Sequence, residues 1–217
     1  MFSQRSKDFL FAVVSPPVVI NHYIKKWTYR GRNPLRLNLG CGTRYIPGYA
    51  NIDINPFTKS DLWLDARYGL PFAEQSVEAI YSVHTLEHFF PNEMDAVLAE
   101  CRRVLKSGGG IRVVVPHLGN SIVAYSRGLM DWFINWPRNC ESLGGRFTNY
   151  VFCDGQHRAA FDFGYLSEIL KKAGFSNVTE ASVLSSRFIS RETMILGETA
   201  DDHEIDLPRS LYVEAFR

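Results

Sequence analysis

A glycine turn between two apolar segments constrains the fold of this chain more than any other feature. The segment "LNLGCGTRYIPGYANIDI" runs from Leu37 to Ile54. Gly40 and Gly42 allow a sharp turn directly after a strand, and they let the backbone approach a ligand with no Cβ in the way. An acid, Asp53, follows inside the second predicted strand. A strand, a glycine turn and an acid on the next strand are typical of nucleotide-binding α/β folds.

The turn departs from the dinucleotide-binding fingerprint in two ways. Tyr45 stands in place of the third glycine, and the next strand follows too soon for a full crossover helix. Asp53 comes 13 positions after Gly40, whereas that fingerprint places the acid about 20 residues on. A carboxylate at a strand tip can still accept hydrogen bonds from both hydroxyls of a ribose. The pattern therefore favours a ligand with a ribose but no diphosphate, and S-adenosylmethionine is such a ligand.

Short apolar segments alternate with helical patterns along the chain, which indicates βαβ units and a mostly parallel sheet. An apolar stripe predicts a helix from Pro91 to Lys106, and a second helix is predicted after Asp162 as its N-cap. The predicted strands are Leu35–Gly40, Ala50–Ile54, Asp61–Ala66, Val77–Val83, Gly110–His117, Ser176–Ser182 and Ser210–Phe216. The acidic span from Gly197 to Arg209 reads as a surface loop.

Residues 118–160 interrupt this alternation and are predicted to form an insertion. Because it follows the carboxyl end of a strand, we expect it to be a lid on the acceptor side of the site. We predict an amphipathic helix followed by a loop-rich segment. Its aromatic residues suit either stacking on a sugar or aromatic acceptor or plain packing; the helix stripe is Ile122, Tyr125, Leu129, Trp132, Phe133 and Trp136, and the stacking candidates are Trp132, Trp136, Phe147 and Tyr150.

The length, net charge and cysteine content of the chain limit which binding partners and cellular environment we expect. The 217 residues fit one sizeable domain with elaborations, and the formal net charge of +1 gives no electrostatic case for nucleic acid. The four cysteines have neither CxxC pairing nor metal-ligand spacing with histidine, so we predict no metal and a reduced, cytoplasmic protein. An apolar segment, Phe9–Ile20, is too short to span a bilayer. We expect residues 1–30 to form an arm that packs on the domain of residues 31–217, with contact to a membrane surface as the alternative.

The ordered set of motifs resembles the class I S-adenosylmethionine-dependent methyltransferases, most closely bacterial predicted methyltransferases of the methyltransferase-11 type that are often associated with polysaccharide genes. The motifs that carry the resemblance are "LNLGCG", "NIDI", "DLWLDAR", "LPFAEQSVEAIYSVHTLEHF", "AECRRVLKSGGGIRVVVP" and "FDFGYLSEILKKAGFSNV". It implies a Rossmann-like three-layer α/β sandwich with a mostly parallel seven-stranded sheet, an antiparallel last strand and a shortened first crossover.

The resemblance also implies a cofactor site for S-adenosylmethionine. Asp53 would bind the ribose hydroxyls, Ile54 would pack on the adenine, and Asp65, beside Ala66, would accept a hydrogen bond from the adenine amino group. Val83 and His84 would close over the carboxypropyl chain. The methionine and ribose would be lined by Leu39, Gly40, Cys41, Gly42 and Thr43.

Methyl transfer to a hydroxyl or amine needs alignment, exclusion of water and, for many acceptors, a base. Histidine suits that task near neutral pH, and His88, His117 and His157 are the candidates. The predicted acceptor is a small molecule, for which a saccharide is one candidate. Two alternatives stay open: a non-catalytic protein that binds S-adenosylmethionine, and an NAD-dependent oxidoreductase, which the missing third glycine disfavours.

Overall fold

The computed structural model describes residues 35–198, 202 and 206–217, which build one seven-stranded sheet covered by helices. The predicted N-terminal arm, residues 1–30, lies outside the described residues. The strands are β1 (Leu35–Leu39), β2 (Ala50–Asp53), β3 (Leu62–Trp63), β4 (Val77–Val83), β5 (Leu105–Pro116), β6 (Ser176–Ala181) and β7 (Ser210–Phe216). The α-helices of the described part are α1 (Pro91–Val104), α2 (Leu118–Ser126), α3 (Leu143–Phe152), α4 (Phe163–Lys172) and α5 (Arg191–Gly197).

The sheet has the strand order β3-β2-β1-β4-β5-β7-β6. Neighbouring strands are parallel except where β7 pairs with β5 and β6. The predicted Rossmann-like α/β fold with an antiparallel last strand is thus confirmed. The strand order changes direction between β1 and β4, and the loops that follow these strands meet where open α/β sheets bind ligands.

Alternate residues of the central strands pack on opposite faces of the sheet, because successive side chains of a strand point to opposite sides. Val113 and Val115 of β5 lie in a core with α1 and α4, whereas Val114 lies in a second core with Met194 of α5. Burial on both faces explains why the strands are apolar without strict alternation. The predicted stripe of α1 is fully buried: Met94, Val97, Leu98, Cys101 and Val104.

Outside residues 118–160, most predicted boundaries agree with the structure within two residues, but three elements differ. The predicted strand Asp61–Ala66 is reduced to β3, because Asp65 caps a 3-10 helix over Ala66–Tyr68. β5 begins earlier than predicted, at Leu105, and α5 was not predicted. Among the described residues, no helix is both long enough and apolar enough to cross a bilayer.

A buried polar network takes the place of a helix between β1 and β2. Asn38 donates to Asn51 Oδ1 at 2.9 Å and to the Arg44 carbonyl oxygen at 2.8 Å. Asn51 in turn binds both backbone groups of Ile46 and the carboxylate of Asp61. These side chains replace the backbone hydrogen bonds that a helix would supply, so the predicted short crossover is held rigidly.

Two acids described in the span that was predicted as a surface loop are buried. Glu198 and Asp202 are 5% and 2% exposed. Glu198 pairs with Arg112 of β5 at 2.6 Å, and Arg112 also pairs with Glu214 of β7 at 3.1 Å. Asp202 accepts hydrogen bonds from Ser210 N and the Tyr212 hydroxyl. Glu198 and Asp202 can be buried because an arginine, a backbone N–H and a tyrosine hydroxyl bind their carboxylates. The sequence alone shows only that these residues are acidic.

The insertion, residues 118–160, also differs from its prediction. The amphipathic helix ends at Ser126, and the segment predicted as loop-rich contains α3. Part of the predicted stripe is core: Trp132 and Phe133 are buried, with ring centroids 4.8 Å apart. The rest of the stripe is exposed, namely Ile122, Tyr125, Leu129 and Trp136.

Candidate cofactor and acceptor site

The glycine turn lies between the ends of β1, β2 and β4. Gly40 N and Cys41 N both donate to the Ile52 carbonyl oxygen at 2.9 Å, which ties the turn to β2. Gly40 has φ +70°, and a Cβ there would stand 2.2 Å from Thr85 Oγ1. Thr85 in turn donates to the Leu39 carbonyl oxygen. Gly40 is therefore required by the close approach of Thr85, a packing partner that the sequence did not reveal.

Gly42 differs from Gly40 because no atom of the described part of the chain lies within 4 Å of a Cβ built on it, although its φ is +51°. Its N–H donates to Asp53 Oδ2 at 2.6 Å, and Asn55 N donates to Asp53 Oδ1 at 2.7 Å. A carboxylate has about four acceptor positions, so Asp53, which is half-exposed, keeps acceptor capacity on both oxygens. We call Gly40, Gly42 and Asp53 the donor corner.

The other residues predicted to line the cofactor differ in their exposure to solvent. Leu39 and Cys41 are buried, so only their backbone faces the turn, whereas Thr43 is exposed and Ile54 is half-exposed. Burial and the nearby charges of Asp53 and Asp61 raise the pKa of the Cys41 thiol to about 12. Cys41 is therefore a neutral packing residue.

Asp65, predicted to bind the adenine amino group, is 3% exposed and already paired. Arg67 Nε donates to Asp65 at 3.0 Å and Arg67 Nη2 at 2.7 Å. The hydrogen bonds that Arg67 donates to Asp65 raise the pKa of the Arg67 guanidinium. Ala66 beside it is buried. A ligand would have to share this carboxylate with Arg67, so the predicted adenine contact stays a prediction.

The loop after β4 carries a histidine–carboxylate pair. Val83 is buried at the end of the strand, and His84 has φ +51°. His84 Nδ1 lies 3.2 Å from Glu87 Oε1, and its Nε2 lies 3.4 Å from Ser210 Oγ. Burial pushes the pKa of Glu87 up, but the hydrogen bond with His84 and the neighbouring imidazoles bring it below its usual value. Glu87 is thus a buried anion, which the sequence analysis did not single out.

Two of the three candidate bases lie together. The rings of His88 and His157 are edge to face with centroids 5.2 Å apart. His88 Nδ1 lies 3.0 Å from the Gln156 carbonyl oxygen and His157 Nδ1 lies 3.0 Å from the Val151 carbonyl oxygen. A carbonyl only accepts, so each Nδ1 carries a hydrogen and each Nε2 keeps a lone pair.

The third candidate, His117, has the opposite tautomer. It directly follows β5 and caps α2, where its Nδ1 accepts from Asn120 N at 3.3 Å. Nε2 therefore carries the hydrogen of the neutral ring, and burial lowers the pKa of His117. In this arrangement His117 has no free lone pair for a general base, and it serves the helix terminus.

Of the aromatic acceptor candidates, most pack against one another. Trp132 and Tyr150 have ring centroids 5.1 Å apart, and Phe147 joins the same cluster. The Tyr150 hydroxyl accepts from His117 N and donates to the Arg209 carbonyl oxygen. Trp136, in contrast, is 52% exposed. Stacking on an acceptor stays a prediction for Trp136.

Comparison with known proteins agrees with this geometry. Residues 37–113, which run from β1 through the donor corner to β5, match the family model described as a methyltransferase domain. The predicted resemblance to class I S-adenosylmethionine-dependent methyltransferases is confirmed. S-adenosylmethionine is the cofactor that this match supports. No curated protein matches the chain.

Solved structures share the fold at low sequence identity. A SAM-dependent methyltransferase from Archaeoglobus fulgidus is 16% identical, with 92% of this chain and 93% of that chain covered and a TM-score of 0.52. Phosphoethanolamine N-methyltransferase 2 from Haemonchus contortus is 13% identical, with a TM-score of 0.50. The match covers 92% of this chain and 52% of that chain. This chain therefore spans about half of the Haemonchus enzyme. These likenesses show the fold.

Proposed function

We propose that this protein transfers a methyl group from S-adenosylmethionine to an oxygen or nitrogen of a small molecule. The observation that carries the proposal is the donor corner, where Asp53 holds the Gly42 N–H at 2.6 Å beside open space. The remaining acceptor capacity of Asp53 suits two ribose hydroxyls. The Gly42 position leaves room for a ligand against the backbone.

The donor supplies an activated methyl group, so the protein's part is to orient the acceptor, exclude water and deal with its proton. His88 and His157 present Nε2 lone pairs at the carboxyl end of β4, one strand from the donor corner. His84 and Glu87 add a paired polar group to the same loop. We propose this loop as the acceptor-facing wall, with Trp136 of the insertion as a candidate stacking surface.

A saccharide or glycan-linked hydroxyl is the proposed acceptor class. The support is indirect: the resemblance is to methyltransferases associated with polysaccharide genes, and Trp136 offers an exposed aromatic face. An acceptor panel of saccharides, simple amines and catechols, read out as formation of the demethylated donor, separates this class from the others. Turnover with amines alone would replace the saccharide assignment without affecting the donor site.

The donor corner is tested by calorimetric titration of the full chain with S-adenosylmethionine, its demethylated product and NAD. Each Asp53–hydroxyl hydrogen bond involves a charged acceptor and contributes about 1.5–3 kcal/mol, so Asp53→Ala should weaken donor binding by at least about tenfold. Asp95→Ala is the matched control, because Asp95 is an exposed carboxylate on α1 that pairs only with Lys172 in the ion pairs of the described residues. Equal donor affinity in both variants would contradict the proposal.

The same titration separates the two alternatives. An NAD-dependent oxidoreductase would bind NAD in preference to S-adenosylmethionine. A non-catalytic binder would bind the donor with the same dependence on Asp53 and would turn over no acceptor in the panel.

A further inference from the structure

A histidine–carboxylate cluster at the carboxyl end of β4 has the composition of a metal site. One potential ligand atom from each of Glu87, His88 and His157 lies within 4.8 Å of the other two. Glu87 is buried, His157 is half-exposed and His88 is exposed, so the cluster is anchored inside and reachable from solvent. Two of these residues belong to the loop after β4, and the third comes from the segment after α3.

The hydrogen bonds around the two histidines set them up as ligands. Each donates its Nδ1–H to a backbone carbonyl, Gln156 for His88 and Val151 for His157. Metal-binding histidines almost always use their second ring nitrogen in this way, which fixes the tautomer and the direction of the ring. Both Nε2 lone pairs are therefore available for an ion, and both rings are held in place without one.

The carboxylate supplies an independent observation. The Glu87 side chain is 1% exposed, and its Oε2 has no hydrogen-bond partner among the residues that the structure describes. Oε1 is held by His84 Nδ1 at 3.2 Å. A buried carboxylate oxygen without a donor costs free energy, and a cation beside the two Nε2 atoms would remove that cost.

We propose that Glu87, His88 and His157 bind a divalent first-row transition-metal ion such as Zn²⁺. Two imidazoles and one carboxylate form a ligand set that suits such ions, and three protein ligands leave coordination positions for water or for an oxygen ligand. His84 is a positioning residue, since it holds Glu87 through Oε1. The cysteine spacings predicted no metal, whereas this ligand set joins adjacent Glu87 and His88 to a histidine that is distant in the sequence.

The place of the cluster in the sheet suggests its role, and this step rests on the proposed function. Thr85, two residues before Glu87, contacts the donor corner through Leu39 and Gly40. An acceptor oxygen bound at the ion would lie on the same sheet edge as the donor, and a bound cation lowers the pKa of such an oxygen. The ion would then replace a free imidazole as the group that prepares the acceptor for attack.

Metal binding is measured on the full chain after treatment with a chelator, by calorimetry with Zn²⁺ and by visible absorption with Co²⁺ as a spectroscopic probe. We expect one ion per chain and a Co²⁺ spectrum of a site with nitrogen and oxygen ligands. Thiolate bands in that spectrum would assign the ion to cysteines and overturn the proposal, as would the absence of binding.

Variants locate the ion. Outer-shell changes already weaken metal binding 10–100-fold, so Glu87→Gln and His88→Ala should each weaken Zn²⁺ binding by about 100-fold or more. His88 is exposed, so its variant stays informative if Glu87→Gln does not fold. Glu74→Gln is the matched control, because Glu74 is an exposed carboxylate that pairs with Arg217. Unchanged Zn²⁺ binding in His88→Ala would refute the site.

Two further readouts separate this proposal from the proposed function. Zn²⁺ should raise the unfolding temperature of the unmodified chain and of Glu74→Gln, and leave that of His88→Ala unchanged, because only a folded site stabilises by binding. S-adenosylmethionine binding, measured on the same samples, should persist in His88→Ala. In the unmodified chain, Zn²⁺ binding without S-adenosylmethionine binding would count against the donor corner alone. S-adenosylmethionine binding without Zn²⁺ binding would count against the metal site alone.

Discussion

The buried ionic cluster of Arg112, Glu198 and Glu214 and the donor corner both contain carboxylates, and these carboxylates differ in how fully they are paired. All three members of the ionic cluster are 0–5% exposed. Arg112 also donates to the carbonyl oxygens of Ser182 and Ser185. In the donor corner, Asp53 is half-exposed and receives two backbone hydrogen bonds, which leaves acceptor positions over.

The difference separates structural charges from functional ones. A charge that is fully surrounded by partners fixes the packing of its elements, here α5 against the sheet, and has nothing left for a ligand. A charge with unused hydrogen-bonding capacity at a sheet edge can bind a ligand. Glu87 combines features of both kinds of charge. It is as buried as Arg112, yet its Oε2 has no hydrogen-bond partner among the described residues.

The ionic cluster should dominate stability. Arg112→Met leaves Glu198 buried without its arginine and leaves Glu214 with Arg187 alone. Removal of one partner of a buried pair typically costs about 3–5 kcal/mol. We expect a decrease of that size in the free energy of unfolding, measured by denaturant titration. Arg36→Met is the matched control: Arg36 pairs with Glu78 at the surface, 3.6 Å apart, and such pairs contribute about 0–1 kcal/mol. Similar losses in both variants would remove the distinction drawn above.

The two glycines of the donor corner should separate packing from binding. Gly40→Ala adds backbone strain and a collision with Thr85, so we expect about 2–4 kcal/mol of destabilisation. Gly42→Ala adds only backbone strain, about 1–2 kcal/mol, but it places a methyl group in the open space next to Asp53. In thermal unfolding Gly40→Ala should be the more damaging, whereas in donor titration a folded Gly42→Ala should lose affinity. A Gly42→Ala protein with normal donor affinity would move the ligand away from this turn.

The smallest effect concerns the cysteines. Burial raises the pKa values of Cys41 and Cys101 to about 12, so at pH 8 almost no thiolate is present at either. Cys140 is half-exposed. A thiol reagent at pH 8 should therefore modify Cys140 much faster than Cys41 or Cys101, as peptide mass spectrometry would show. Rapid modification of Cys41 would mean that the donor corner opens more readily than its hydrogen bonds indicate.

Elements that depend on neighbouring residues could be predicted from the sequence. The turn was predicted from the two glycines after the first strand. Helix α1 was predicted from its apolar stripe, and the start of α4 was predicted from Asp162 as an N-cap residue. The fold class follows from the order of these elements. Asp65 could be named as a candidate from the sequence, but its hydrogen bonds with Arg67, two residues away, were not predicted.

Which polar groups have hydrogen-bond partners depends on the tertiary structure. Glu198 and Asp202 sit in a span that looks like a surface loop, and they are buried because Arg112 and the start of β7 reach them from elsewhere in the chain. His88 and His157 meet through the fold, and their tautomers depend on carbonyl oxygens of Gln156 and Val151. Hydrogen-bond capacity is used up or left over by neighbours that are distant in sequence, so residue type indicates a chemistry and the packing decides whether it is available.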